Sequence, residues 1–343
     1  MKHISLNDTR PAAVYRGHPA KVLIPLLPDG DNESLLALAH CLAVSEPVLL
    51  VGVVPVPVGD NLSAGAEPAR ELRGLIQDNV DRVNLRSMAR IRVTHMPWDD
   101  IRNILSGEPA IDLVVLSWPE QLVALRLTAA EILSHPPCDV ALIRGPLPEK
   151  PERILVPMRG GPHAERALQL GLGLSRAFDS RLASLEIRSA TPDTSEIELF
   201  AGLARVLAEM PEIEHRTVAT DDQVGEVLAV AEKFDVVVLG TAAFPSSSTD
   251  SFGDLADEAL RQSSACVIAV KTKRVVSEKD DAGQFGTQAI SVLVDRWFAE
   301  NTFHGDEYAD LNQLVALKRE RESKISVALP ALNEEDTVGD IIR

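Results

Sequence analysis

The chain has 343 residues, enough for about two domains of ordinary size. Hydrophobic residues make up 45% of the chain and aromatic residues only 4%, so we expect aliphatic cores of the kind found in α/β proteins. The formal net charge of -17 argues against a nucleic acid as partner, because phosphates would be repelled.

Neither a membrane span nor a secretory leader is predicted. No apolar run approaches the roughly 20 residues that cross a bilayer, and the first residues, MKHISLNDTR, contain no hydrophobic segment. We therefore expect a cytoplasmic protein. The cysteines Cys41, Cys138 and Cys266 are widely separated and have no zinc or redox spacing, so reduced thiols in the core are expected.

The first predicted unit, residues 20–147, follows an N-terminal tail at 1–19 and alternates strands with helices. Its short runs of Val, Ile and Leu are typical of strands that are covered on both faces. The strands are predicted at 22–26, 48–54, 90–95, 112–116 and 139–143, and the helices at 32–44, 67–87, 99–106 and 123–134.

The second predicted unit, residues 151–272, has the same order of elements. Strands are predicted at 153–157, 181–187, 213–219, 235–239 and 266–270, and helices at 163–177, 194–208, 222–232 and 253–262. Strict alternation of strands and helices predicts a parallel sheet with helices on both faces. The fold class is therefore α/β, with two tandem doubly wound five-stranded domains of Rossmann-like type.

Three landmarks support a tandem duplication, because they recur in the same order at nearly one period. A proline lies at or near the end of the first strand of each unit, an aspartate begins each fourth strand, and a cysteine stands at the start of each fifth strand. The pairs are Pro25 with Pro157, Asp112 with Asp235, and Cys138 with Cys266. The period is too long for a solenoid repeat and is typical of whole domains.

Two stretches of the second unit resemble the universal stress protein family. They are ILVP at 154–157 with GGPHAERAL at 160–168, and DVVVLG at 235–240 with the strand after Cys266. The resemblance extends over residues 20–272 in two copies and implies an adenine nucleotide alpha hydrolase-like fold for each. It also implies that the copies pair through their fifth strands as an intramolecular pseudo-dimer, with a homodimer of whole chains as a further partner arrangement.

ATP-binding members of that family carry G-x2-G-x9-G-[ST] after the fourth strand, and its backbone amides hold the phosphates. By resemblance, Gly240 and Gly253 keep the first and third positions as candidate cofactor-binding residues. Ala243 replaces the middle glycine, and Asp254 replaces Ser/Thr with a charge that repels phosphate. Arg159 stands where such members usually place Asp. These departures predict a degenerate nucleotide site, with ATP as an alternative ligand.

The first unit departs further from that motif. SWPEQ follows its fourth strand at 117–121, and no glycine appears before Gly145. Proline and tryptophan do not permit the close backbone approach that glycine gives to a phosphate. We therefore expect no nucleotide in the first unit.

Simpler interpretations exist for each of these residues. Gly240 and Gly253 could serve only the geometry of their turns. His163, near the start of a predicted helix, is interpreted as a solvated side chain rather than a catalytic one. Asp254 and Asp257 fit the preference of helix starts for negative charge.

A linker with short helices is predicted at 273–323, followed by a different kind of segment at 324–343. Ile325–Leu329 is a strand-type run, and PALNEE at 330–335 makes a sharp turn into a helix. This segment resembles the first strand and turn of GT-A-fold glycosyltransferases, most closely the glucosyl-3-phosphoglycerate synthases. The resemblance implies that the nucleotide side of a UDP-sugar donor site is formed by Pro330, Ala331, Leu332 and Glu334.

The resemblance thus implies that residues 324–343 are the truncated start of a glycosyltransferase domain, whose Asp-x-Asp motif for a divalent cation is expected downstream. We expect a non-catalytic tandem universal stress module that is the regulatory or scaffold N-terminal part of a nucleotide-sugar glucosyltransferase. No catalytic residue and no metal ligand is predicted in this chain. A divalent cation and UDP-glucose are expected only where a complete glycosyltransferase domain follows.

Two other functions stay open at this point. One is a fragment of a glucosyl-3-phosphoglycerate synthase, which would transfer glucose from NDP-glucose to 3-phosphoglycerate. The other is a stand-alone ATP-responsive stress protein.

Overall fold

A computed structural model describes residues 21–30, 32–42, 48–83, 87–158, 162–188, 210–242 and 251–273, and the single positions 207, 312, 315, 316 and 319. The chain divides into two compact units, residues 1–293 and 294–343, and the described positions of the second unit are helical. Most of the predicted helix 194–208 and the whole glycosyltransferase-like segment 324–343 lie outside the described residues.

The first half of the sheet has five strands and the helices that connect them. The strands are β1 (Val22–Leu26), β2 (Val48–Pro55), β3 (Ser87–Thr94), β4 (Leu113–Ser117) and β5 (Asp139–Arg144). The helices are α1 (Glu33–Leu42), α2 (Ala66–Val83), α3 (Pro97–Gly107), α4 (Glu120–Leu125) and α5 (Ala129–Ser134), and a 3-10 turn at Leu62–Gly65 precedes α2.

The second half has the same order of strands. They are β6 (Arg153–Met158), β7 (Arg181–Arg188), β8 (Glu214–Ala219), β9 (Val236–Gly240) and β10 (Cys266–Lys271). The helices described here are α6 (Pro162–Phe178), α7 (Gln223–Ala231) and α8 (Asp254–Gln262).

All these strands form one sheet in the order β3-β2-β1-β4-β5-β10-β9-β6-β7-β8. Neighbouring strands are parallel except at the centre, where β5 and β10 are antiparallel and Lys271 lies opposite Val140. In each half, the first strand therefore lies at the centre, with the second and third strands on one side and the fourth and fifth on the other. The predicted α/β class, with a doubly wound and mostly parallel sheet, is confirmed.

Both faces of the sheet are covered by helices. The helices α1, α2 and α6 pack on one face and α3, α4, α5, α7 and α8 on the other. Alternate side chains of one strand enter different cores, so that Val114 of β4 packs on one side and Val115 on the other. Full burial of each such side chain contributes about 1.5–3 kcal/mol.

The predicted boundaries were wrong at two places. The helix predicted at 123–134 is divided into α4 and α5, because Arg126 has a left-handed φ of 59° and Thr128 starts a new helix through a capping box with Glu131. The predicted helix 67–87 ends at Val83, and the strand predicted from residue 90 begins at Ser87. This strand, β3, is at the edge of the sheet and is half exposed, so it lacks the apolar run that marks the central strands.

The three cysteines have free thiols and are buried. Burial raises the pKa of Cys41, Cys138 and Cys266 to about 12, so each thiol is protonated and unreactive at neutral pH. Within the described ranges, none of the helices combines the length and the apolar character that a membrane span requires.

Candidate functional site

A doubly wound sheet usually binds its ligand where the strand order reverses, at the carboxyl ends of the strands. This sheet has such a crevice in each half, between β1 and β4 and between β6 and β9. The glycines of the sequence motif lie at the second crevice, because Gly240 ends β9 and Gly253 precedes α8.

The first crevice is bridged by a buried side chain of α4. Gln121 accepts a hydrogen bond from the amide of Ser117 at the end of β4 (3.0 Å) and donates one to the carbonyl of Pro25 in β1 (2.7 Å). The side chain of Asn32 closes the turn after β1 in the same way. Its oxygen accepts a hydrogen bond from the amide of Leu27 (3.2 Å), and its nitrogen donates one to the carbonyl of Leu27 (2.7 Å). The sequence indicated only the lack of glycine here and gave no sign of this amide bridge.

In the second crevice, Gly240 allows helix α6 to approach the end of β9 closely. A Cβ atom on Gly240 would lie 2.8 Å from Cβ of His163 and 3.0 Å from its carbonyl carbon. Real side chains do not occupy such a space, so the backbone of α6 would have to move. The geometry therefore gives Gly240 a packing function at the point where the motif suggested contact with a nucleotide.

Gly253 has a backbone conformation that favours glycine, with a φ of 99°. A Cβ atom there would also lie 2.8 Å from Cβ of Ala242. The amide of Ala242 donates to the carbonyl of Phe252 (2.7 Å), which holds the two ends of the loop together. Gly253 is therefore required by the turn itself.

Asp257 binds the start of its own helix, α8. Its carboxylate accepts hydrogen bonds from the amide of Phe252 (2.9 Å) and the hydroxyl of Ser251 (2.6 Å), and that hydroxyl accepts from the amide of Gly253 (3.1 Å). A carboxylate thus occupies the end of the helix where a phosphate would be held. Asp254 adds a second acidic residue to the same turn, whereas Arg159 and Ala243 lie outside the described residues.

His163 is buried, which contradicts the prediction of a solvated side chain. It is 6% exposed; its Nδ1 accepts from the amide of Thr272 (3.2 Å), and its Nε2 lies 3.5 Å from Nζ of Lys271. Burial, together with the positive charge of Lys271, lowers the pKa of His163 to about 3. Burial also lowers the pKa of Lys271, to about 8. The prediction was wrong because Gly240 brings the start of α6 against the sheet.

Asp139 connects the two halves of the sheet beside this histidine. It lies at the start of β5, where it forms an ion pair with Nε of Arg166 in α6 (2.9 Å). It also accepts hydrogen bonds from the hydroxyl of Thr272 (2.9 Å) and the amide of Lys273 (2.8 Å). The second half thereby gives three donors to one carboxylate of the first half. Sequence reasoning missed this cluster, because its members are distant in the chain.

A third polar cluster has the hydrogen-bond order of a catalytic triad. The hydroxyl of Ser184 in β7 lies 2.9 Å from Nδ1 of His215 in β8, and Nε2 of His215 lies 3.1 Å from the carboxylate of Glu186. Ser184 has no exposed surface and is in the middle of a paired strand, so no substrate reaches its hydroxyl. The arrangement therefore satisfies buried polar groups and does not supply a nucleophile.

Pro330, Ala331, Leu332 and Glu334, the proposed donor-site residues, lie outside the described part of the chain. Among the described residues, no group of three or more His, Cys, Asp or Glu side chains could hold a metal ion.

The packing function of Gly240 predicts a large difference between two glycine variants. Gly240→Ala should lower the free energy of unfolding by about 1–3 kcal/mol, because its Cβ would overlap the backbone of α6. Gly74→Ala is the matched control, since a Cβ on Gly74 in helix α2 meets nothing within 4 Å. It should stabilise the protein by about 0.5–1 kcal/mol. Urea unfolding measures both, and equal effects would contradict the packing function.

The geometry defines an α/β protein with a doubly wound sheet, and the described polar groups at its two crevices bond to one another. No family model and no curated protein matches the sequence. The solved structures, however, include similar folds. A universal stress protein from Archaeoglobus fulgidus has 12% identity and a TM-score of 0.51, over 74% of this chain and 98% of that chain.

Two further structures, both from Pseudomonas aeruginosa, have lower TM-scores. A putative universal stress protein has 16% identity and a TM-score of 0.49, over 79% of this chain and 98% of its own. A functionally unknown protein has 15% identity and a TM-score of 0.47, over 80% of this chain and 98% of its own. The similarity to the Archaeoglobus fulgidus structure shows that this chain has the fold of universal stress proteins.

Proposed function

We propose that this chain is a non-catalytic module of the universal stress protein type that acts in the cytoplasm as a scaffold or regulatory unit. The observation that carries the proposal is the set of hydrogen bonds at the start of α8. The amides of Ala242, Phe252 and Gly253 all donate to acceptors within the chain. A triphosphate would need such amides to be free.

The electrostatics of the site support the same proposal. A triphosphate at the start of α8 would meet the carboxylates of Asp254 and Asp257. It would also have to displace Asp257 from two hydrogen bonds, each of about 1.5–3 kcal/mol because the acceptor is charged. The overall charge of -17 further disfavours a polyanionic ligand. Binding of a protein partner does not require the amides and carboxylates at the start of α8 to be free.

We further propose that the two halves are tandem stress domains that form an intramolecular pseudo-dimer. Support comes from their identical strand orders and from the antiparallel pairing of β5 with β10. Helices α1 and α6 also contact each other across the same junction. With the fifth strands paired inside one chain, the faces of the sandwich are left for other partners.

The proposed partner is a nucleotide-sugar glucosyltransferase domain, and this part rests on sequence resemblance at Pro330–Glu334. The gene sequence beyond Arg343 provides a direct test, since such a domain requires an Asp-x-Asp motif for its divalent cation. A sugar-transfer assay with UDP-glucose on residues 1–343 should show no product. A stop codon directly after Arg343 would contradict a fused enzyme.

The proposal predicts that the chain does not bind ATP, and the melting temperature measured with and without MgATP tests this. Addition of MgATP at millimolar concentration should leave the melting temperature unchanged, because the amides at α8 are already bonded. A ligand at a hundredfold excess over its Kd would add about 2.7 kcal/mol of stability, which is several degrees. Sodium sulfate at equal ionic strength is the control for screening of the net charge. A rise with MgATP alone would favour the ATP-responsive stress protein instead.

A further inference from the structure

An open pocket of about 450 Å³ lies between helix α3 and strand β3, at the edge of the sheet. It is separate from both ligand crevices, because it is formed by the edge strand rather than by the ends of β1 and β4. Arg90 and Arg92 line it from the strand, and Asp100 and Glu108 line it from α3 and the residue after it. Nothing in the proposed scaffold function uses these side chains.

Two of these four charges cancel each other. Nη2 of Arg90 lies 2.6 Å from the carboxylate of Glu108, which joins the edge strand to the end of α3. In the part of the chain that the structure describes, the side chains of Arg92 and Asp100 form neither an ion pair nor a hydrogen bond. The pocket thus presents one available cation and one available anion that are too far apart to pair with each other.

The other residues of the pocket wall are mixed in character, and the side chain of Val93 belongs to the core on the opposite face of the sheet. Ile104 offers an apolar contact from the buried side of α3, and Asn103 adds an amide. Gly107 lines the end of the pocket without a side chain, and a Cβ atom there would meet nothing within 4 Å. A ligand that fits this site carries one positive and one negative charge and a short aliphatic part that reaches Ile104.

We propose that this pocket binds a small zwitterion, an α-amino acid with an aliphatic side chain. Its carboxylate would bind the guanidinium of Arg92, its ammonium group would bind the carboxylate of Asp100, and its side chain would pack against Ile104. A simple anion fits less well, because the four charges of the pocket sum to zero and the chain carries -17. The proposal is independent of the scaffold function.

Amide NMR spectra of the full chain test the proposal with three probes of the same shape. L-leucine carries both charges, isocaproate lacks the ammonium group, and isoamylamine lacks the carboxylate. Leucine should shift the amide signals of β3 and α3. Each analogue should bind at least about tenfold more weakly than leucine, because it leaves one charged group of the pocket unpaired. Equal binding of isocaproate and leucine, or no shifts in β3 and α3, would overturn the proposal.

Four variants locate the site. Arg92→Gln and Asp100→Asn should each weaken leucine binding about tenfold or more. Gly107→Leu should abolish it while the melting temperature is retained, because the new side chain enters open space in the pocket. Arg102→Gln is the matched control, since Arg102 lies on the same helix, is 60% exposed and pairs with Asp99. Wild-type binding by Gly107→Leu would show that the ligand is bound elsewhere.

Discussion

Between pH 7 and pH 4 the protein should lose on the order of 3 kcal/mol of its free energy of unfolding through His163 alone. The cause is the buried position of this side chain between Thr272 and Lys271. Its pKa is lowered from 6.5 to about 3 in the folded state. A charged imidazole there would have to be buried beside an ammonium group.

The direction of the effect follows from the two pKa values. The folded pKa of His163 is below the unfolded value, so the unfolded chain takes up the proton first as the pH falls. The contribution to stability is complete above about pH 6.5 and is lost progressively as the pH falls toward 3. Lys271 adds no slope in this range, because its pKa is lowered only to about 8 and it is charged in both states below that pH.

Urea unfolding at a series of pH values measures this slope. His163→Gln should unfold with a shallower dependence on pH, since glutamine retains an acceptor for the amide of Thr272 but does not take up a proton. The exposed His40 provides the matched control, and His40→Gln should keep the wild-type slope. If His163→Gln and the wild-type protein lost stability in parallel, His163 would not be the group that titrates.

The fold class could be predicted because the central strands carry their own signal. β4 and β9 are covered on both faces, so each appears in the sequence as an unbroken run of Val and Leu, in Leu113–Leu116 and Val236–Leu239. The edge strands have no such requirement. β3 is half exposed and alternates polar with apolar residues, so the sequence offers no apolar run to set its limits, and the strand begins at Ser87 rather than at residue 90.

The candidate site was predicted only in part, for a related reason. Gly240 and Gly253 were found from the spacing of a motif, but a motif does not show what approaches a glycine. Gly240 packs against His163, which comes much earlier in the chain. The bridge from Gln121 to Pro25 likewise depends on β1 and β4 being neighbours. Such contacts follow from the topology of the sheet, which local sequence does not encode.

Asp139→Asn should lower the free energy of unfolding by about 2–4 kcal/mol. The side chain of Asp139 is 18% exposed and that of its ion-pair partner Arg166 27%, so water does not replace the lost interactions fully. The amide that replaces the carboxylate has one acceptor oxygen and no charge for the donors from Arg166, Thr272 and Lys273. At least one donor at the junction is then left unsatisfied.

Asp99→Asn is the matched control, because it removes the same charge from an exposed ion pair. The carboxylate of Asp99 lies 3.7 Å from Arg102, and both side chains are at least half exposed. Such pairs contribute only about 0–1 kcal/mol, so the urea midpoint should hardly change. In a double-mutant cycle, Arg166→Gln should cost less once Asp139 is Asn, because their ion pair is already lost and only the contacts of Arg166 with Asp112 and Gln169 remain to be removed. Strictly additive effects of the two substitutions would show that the ion pair does not couple α6 to β5.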